Sequence, residues 1–179
     1  MSKIQRLRLP DHDPTFGGNK VFDLFQYSPA VSAAGLVFIA GQVGMRPDGS
    51  VPDSAEAQIE LAFQRLGAIL QHRVLGFEDL VELASYHVRI DEQLTAFRAI
   101  KERYITRDFP AWTILGVASL ARPNLLVEIK AVAAARWGLS ARLLASNALR
   151  VRAEEARIAI NIIASITSPC TARTPVPGP

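Results

Sequence analysis

The sequence predicts an α+β domain in which two helices cover a single mixed β-sheet. Short apolar segments typical of strands alternate with two longer segments that have helical periodicity. Hydrophobic residues make up 49% of the 179 residues and charged residues 21%, a composition typical of globular proteins. The order along the chain is strand–strand–helix–strand–helix–strand–strand, which favours the α+β class.

The first two predicted strands form a hairpin. Residues 1–20 carry scattered charges, prolines and the Gly17-Gly18 pair, which indicate an irregular segment with room for one short strand. Residues 30–33 (Ala-Val-Ser-Ala) and the apolar residues 36–40 are separated by Ala34-Gly35, which predicts a tight turn. The second strand is apolar at every position, so both of its faces should be buried.

Two helices follow from periodic apolar residues. Asp53 and Glu56 fit a capping-box pattern at the start of the first helix, and Gly76 is a plausible stop. The second helix should run from about Glu92 to Tyr104. The apolar stripe of the first helix consists of Ile59, Ala62, Phe63, Leu66, Ile69 and Leu70.

Three further strands are predicted at 80–88, 112–118 and 125–133, with the last two expected to be adjacent. Two helices can cover only one face of such a sheet. Residues 36–40 and 114–118 are nevertheless apolar on both faces. We therefore expect a second copy of the chain to cover the other face, so that the protein forms a homo-oligomer.

The charge distribution separates a domain from a basic extension. Residues 1–135 have a net charge of −1, whereas residues 136–179 have a net charge of +4. We therefore expect an irregular segment at 1–20, a domain at 21–137 and an extension at 138–179 that is helical and then disordered. The domain has no basic excess that would favour a nucleic-acid partner. The sequence shows no signal peptide or membrane span, which predicts a cytoplasmic protein.

Glu128 is the candidate functional residue that the strand pattern singles out. A carboxylate on an otherwise buried strand is costly unless it is paired or used in chemistry. It could pair with Lys130, Arg122 or an arginine of a partner subunit, or it could activate water. Cys170 is the only cysteine, and the three histidines lack ligand spacing, so we expect no metal site and no cofactor.

Four segments resemble the RidA/YjgF family, also known as the L-PSP endoribonucleases. They are Gln26–Val31, Val37–Gln42, the helix that contains Gln58, and Leu126–Ala133. The resemblance covers roughly residues 20–135 and implies a chorismate-mutase-like fold, with two helices on one face of the sheet and a homotrimer that buries the other. It also implies clefts between subunits in which archetypal members hydrolyse reactive enamines and imines to 2-keto acids and ammonia.

The resemblance carries over to individual positions only in part. The archetypal arginine that holds the substrate carboxylate corresponds to Trp112, a departure that resembles the YjgH-type branch of the family. An indole cannot replace the paired hydrogen bonds of a guanidinium with a carboxylate. Tyr27, the Gly41-Gln42 pair and Glu128 match the family, and Glu128 corresponds to its water-activating acid.

The predicted site is an intersubunit pocket for a small molecule. Glu128 would be its catalytic residue, and the substrate would contact Tyr27, Gly41, Tyr86, Trp112 and Thr113. We expect hydrolytic deamination of an enamine or imine, with no metal or organic cofactor. Tyr27 and Trp112 could instead be structural, and the trimer could be a non-catalytic binder of small molecules. The endoribonuclease activity in the family's other name is the third alternative.

Overall fold

The structure is a computed structural model that describes residues 4–136, so the predicted extension at 138–179 lies outside the described residues. Within this range the chain has six strands, three α-helices and a short 3-10 helix at Phe77–Asp79. The strands are β1 (Gln5–Arg6), β2 (Ala30–Ala33), β3 (Leu36–Val43), β4 (Leu80–Val88), β5 (Ala111–Val117) and β6 (Val127–Ala134). The helices are α1 (Lys20–Leu24), α2 (Ala55–His72) and α3 (Ile90–Tyr104).

All six strands form one mixed sheet in the order β1-β2-β3-β6-β4-β5. Strands β4 and β5 are parallel because α3 connects them as a crossover, and every other pair is antiparallel. The prediction that the last two strands are adjacent was wrong, since β4 lies between β5 and β6. The last strand is therefore a central strand that joins the hairpin half of the sheet to the β4–β5 half.

The predicted hairpin is confirmed. Ala34 and Gly35 both have positive φ angles, 50° and 83°, as a two-residue turn between twisted strands requires. The irregular N-terminal segment contains the two-residue strand β1, which pairs with β2, and it leads into the short helix α1, which the sequence analysis missed.

Helix α2 begins one residue later than the predicted cap. Ser54, rather than Asp53, is the N-cap, and its side chain accepts a hydrogen bond from the backbone N–H of Ala57. The helix ends at His72, before Gly76, and Val74 beyond it adopts a positive φ angle of 58°. All six residues of the predicted apolar stripe are buried.

Helices α2 and α3 pack on one face of the sheet, which confirms the α+β class. The core between the layers includes Phe63 and Phe97, whose ring centroids lie 5.5 Å apart. Leu83 and Ile129 contribute from the central strands and are fully buried. None of the helices among residues 4–136 is long and apolar enough to cross a membrane.

The other face of the sheet, which we call the open face, is not covered by any described element. Phe38 on β3 and Leu115 on β5 point to this face, and they remain 43% and 46% exposed. The predicted burial of both faces of these strands is thus not achieved within a single chain. The homotrimer that would cover the open face stays a prediction.

Candidate functional site

Glu128 lies in the middle of the sheet and points to the open face. Its neighbours along β6, Val127 and Ile129, are fully buried on the helix side, so alternation places Glu128 opposite them. It pairs with Tyr86 on β4 and with Val43 on β3. Its partly buried carboxylate makes no hydrogen bond or ion pair within residues 4–136, and burial raises its pKa above the usual value.

Gly41 provides the space in which the Glu128 side chain lies. Ala40 and Gly41 form a bulge in β3, since Ile39 pairs with Ala131 and Gln42 with Ile129. A Cβ atom added at Gly41 would lie 1.8 Å from Oε1 of Glu128 and 2.7 Å from its Cδ. A side chain at position 41 and the observed Glu128 conformation therefore exclude each other.

Tyr27 lies close enough to Glu128 for their charges to interact. It follows α1, and its ring packs edge-on against Phe22 with centroids 5.1 Å apart. Burial raises the pKa of Tyr27, with a smaller raising contribution from Glu128 and a lowering contribution from Arg65. The phenol is therefore neutral at physiological pH and can donate a hydrogen bond.

Arg65 is a neighbour of Tyr27 that the sequence analysis missed. It is only 6% exposed, and its Nη1 donates to the backbone carbonyls of Met45 (3.1 Å) and Thr15 (3.4 Å). Its guanidinium lies 4.2 Å from the centroid of Phe16, and burial lowers its pKa to about 10. No local pattern signals this burial, because Thr15 and Phe16 belong to the irregular N-terminal segment.

Tyr86 and Thr113 also point to the open face. Tyr86 lies between Glu128 on β6 and Leu115 on β5. Thr113 is one row further along the sheet, next to Ala84, which in turn pairs with Lys130. The structure thus places Tyr86, Thr113 and Glu128 on the open face, with Gly41 against the Glu128 carboxylate and Tyr27 near it. We call the region around these five residues the Glu128 groove.

Trp112 is not part of this group in its own subunit. Its indole stacks on Phe97 of α3, with centroids 5.6 Å apart, and its Nε1 donates to the buried Oγ of Ser85 at 3.0 Å. These contacts place the side chain on the helix side of the sheet, whereas Glu128 is on the open face. Trp112 therefore does not line the Glu128 groove of its own subunit.

The arginines that could have paired with a ligand in the groove are engaged elsewhere. Arg46 donates to Ser50 Oγ, and Arg89 forms an ion pair with Glu92 at 3.3 Å. Arg122 donates to the carbonyl of Gly49 at 3.3 Å and does not reach Glu128. Lys130, two residues after Glu128 on the same face, is the only lysine or arginine in strands β2–β6 and makes no ion pair there.

The described residues offer no obvious place for a metal ion. No group of three or more His, Cys, Asp or Glu side chains is arranged to hold one within residues 4–136. His87 is fully buried beside Phe97, with ring centroids 4.7 Å apart, and burial lowers its pKa. It is a neutral core residue on the helix side of the sheet and lies away from the groove.

Comparisons with known sequences identify the family of the chain. The family described as Endoribonuclease L-PSP matches residues 19–135. The RutC family protein YjgH of Escherichia coli is 32% identical over 118 residues, which cover 65% of this chain and 88% of that protein. A goat (Capra hircus) protein named 2-iminobutanoate/2-iminopropanoate deaminase is 29% identical over 109 residues, which cover 60% of this chain and 78% of that protein.

Solved structures give the same result. The structure of protein YJGH has a TM-score of 0.60 and 31% sequence identity, covering 64% of this chain and 88% of that one. A Mycobacterium tuberculosis member of the YjgF/YER057c/UK114 family shares the fold, with a TM-score of 0.61 at 23% identity over 74% of this chain and 99% of that one. The family match and the fold confirm the resemblance stated from the sequence, and this chain belongs to the L-PSP endoribonuclease family, which is the RidA/YjgF family.

Proposed function

We propose that this protein is a hydrolytic deaminase of small imines or enamines and that Glu128 is its catalytic residue. The observation that carries the proposal is an unpaired, partly buried carboxylate accommodated above a glycine. Two relatives of the chain are named 2-iminobutanoate/2-iminopropanoate deaminase, and each alignment covers about 60% of this chain. YjgH, at 32% identity, carries no activity in its name.

The environment of Glu128 suits proton transfer. A general acid–base group works best when its pKa lies near the working pH, and burial moves the Glu128 pKa in that direction. An ion pair with an arginine or lysine would move it the opposite way, and the described residues provide none. The carboxylate can therefore accept a proton from water and return it later.

The proposed reaction needs only water and the groove. Glu128 removes a proton from water while the oxygen attacks the carbon of the C=N bond, which gives a tetrahedral aminol. The protonated Glu128 returns that proton to the nitrogen. It then takes the hydroxyl proton of the aminol and passes it to the nitrogen as the C–N bond breaks, so that ammonia leaves, the C=O bond forms and the carboxylate is regenerated. Tyr27, which is neutral, can donate a hydrogen bond to the substrate or to the aminol oxygen.

The substrate must match a groove whose strands carry a single cation. Lys130 is the only basic side chain on the strands that form it and could meet a substrate carboxylate as a point charge. A single lysine would bind the phosphates of a nucleic acid only weakly, because such binding usually needs clustered lysines and arginines. The charges of the groove therefore favour a small molecule over RNA.

A homotrimer is part of the proposal. Exposed apolar residues on the open face, among them Phe38 and Leu115, would be buried by neighbouring copies. Neighbours would also turn the shallow groove into a cleft that excludes water, which strengthens the interactions of Glu128. Sedimentation equilibrium of the full chain should give three times the mass of the monomer.

Glu128→Gln tests the proposed activity. The substrates are 2-iminopropanoate and 2-iminobutanoate formed in place by an amino-acid oxidase, and the measurement is the rate at which keto acid and ammonia appear. Glu128→Gln should remove turnover, whereas Glu82→Gln, an exposed carboxylate on the same face, should leave it unchanged. Equal rates for the wild type and Glu128→Gln would refute the mechanism.

A non-catalytic binder of small molecules is the second candidate. It is supported by the absence of an arginine from strands β2–β6, since such a residue would hold an acid substrate in two parallel hydrogen bonds. A wild-type protein that binds keto acids without accelerating imine hydrolysis would identify this function.

A further inference from the structure

A cavity lies on the helix side of the sheet, away from the Glu128 groove. It is an open cleft of about 530 Å³ between the C-terminal half of α3 and the start of β5. We call it the α3 cleft, and it is lined by Arg98, Lys101, Glu102, Ile105, Thr106, Phe109 and Trp112. Its volume lies within the range of about 300–1,000 Å³ that is usual for small-molecule sites.

Two aromatic rings line this cleft, and the side chain of Lys101 lies between them and the solvent-filled space. Phe109 is 74% exposed, an unusual position for a phenylalanine. Trp112 is partly exposed and is fixed from behind by its stacking on Phe97 and its hydrogen bond to Ser85. A rigid indole and an exposed phenyl ring in one cleft are suited to hold a planar ring.

The cleft also carries two cationic side chains that form no ion pair within residues 4–136. The Nζ of Lys101 lies 4.8 Å from the Trp112 ring centroid and 5.9 Å from that of Phe109. Neither Lys101 nor Arg98 forms an ion pair within residues 4–136, although other arginines in this region, such as Arg103, do. With Glu102 as the only acid in the lining, the cleft has a net charge of +1.

We propose that the α3 cleft binds a planar aromatic carboxylate. The ring would pack against Phe109 and Trp112, and the carboxylate would meet Lys101 and Arg98. The sheet separates this site from the Glu128 groove of the same subunit, so occupation of the cleft does not depend on Glu128. The proposal is therefore independent of the deaminase activity.

Calorimetric titration with 2-naphthoate and with its neutral amide, 2-naphthamide, tests the proposal on the full chain. The acid should bind about ten-fold or more tightly than the amide, because only the acid gains a charge-assisted contact. Lys101→Met should reduce this difference by weakening the acid alone, with Arg98 left as the second cation. Phe109→Ala should weaken both ligands, and Glu102→Gln should tighten binding of the acid.

Two control variants make the result specific. Lys20→Met removes an exposed lysine on α1 and should change neither affinity. Glu128→Gln should also leave both affinities unchanged, and a loss of binding there would show that the cleft and the groove are one site. Each of three results would overturn the proposal. They are equal affinities of the wild type for the acid and the amide, no saturable binding of the acid, and an unchanged affinity of Lys101→Met for the acid.

Discussion

Gly41→Ala tests the proposed role of Gly41 in catalysis separately from its role in folding. The new Cβ would lie 1.8 Å from Oε1 of Glu128, whereas ordinary contacts begin at 3.4 Å, so the carboxylate must move by about 1.6 Å. The backbone tolerates alanine, because Gly41 is not among the residues with positive φ. The obstacle is a flexible side chain, so the variant should fold.

The expected effects on stability and on rate differ widely. Forcing Glu128 away from a preferred rotamer costs about 0.5–1.5 kcal/mol, which lowers Tm by no more than about 6 °C in a protein of this size. A displacement of about 1 Å in a catalytic group can cost about 100-fold in rate. Imine hydrolysis by Gly41→Ala should therefore fall about 100-fold while thermal unfolding changes little.

The double variant provides the control. In a Glu128→Ala background the obstructing carboxylate is absent, so Gly41→Ala should cost no stability and no further activity. A Gly41→Ala protein with wild-type turnover would refute the reasoning, because it would show that the position of the Glu128 carboxylate does not matter.

Three further variants test other parts of the structure. Glu128→Gln should be more stable than the wild type at neutral pH. Burial raises the Glu128 pKa in the folded state, so the wild type loses stability as the pH rises through that pKa. The Tm values of the wild type and of Glu128→Gln should therefore become equal below about pH 4. Trp112→Phe leaves the buried Ser85 hydroxyl without its hydrogen-bond donor and should lower the free energy of unfolding by about 1–2 kcal/mol. Turnover should be unchanged, and a decrease in turnover would show that Trp112 of a neighbouring copy enters the groove. Gln58 has a fully buried side-chain amide that forms hydrogen bonds with three backbone groups, including the N–H just before β6. Gln58→Ala should lower the free energy of unfolding, measured by chemical denaturation, by about 2 kcal/mol. A decrease of less than about 0.5 kcal/mol would contradict this role.

The sequence predicted the elements of the fold well because their signals are local. The range predicted for β4 is the observed one, and the apolar stripe of α2 is buried as expected. The order of the strands was not predicted, because an apolar strand carries no mark of its neighbour. Nothing in the sequence of β6 shows that it lies between β3 and β4.

The alternation of side chains along β5 limits which residues can share the candidate site. Trp112 and Thr113 are consecutive in a strand, so they must point to opposite faces and cannot both line one pocket in the same subunit. Glu128, Tyr86 and Thr113 do share a face, as their positions on the strands allow. The contact of Glu128 with Gly41 depends on the bulge in β3, and no sequence pattern predicted this bulge.

The central position of β6 determines when the groove can exist during folding. Gly41 precedes Glu128 by 87 positions in the chain, and the two meet only when β6 has inserted between β3 and β4. Until then a growing chain holds two half-sheets whose facing edges have unpaired backbone groups, and such edges invite association with other chains. Closure through contacts so distant in sequence is slow, so the Glu128 groove should be among the last features that a newly made molecule acquires.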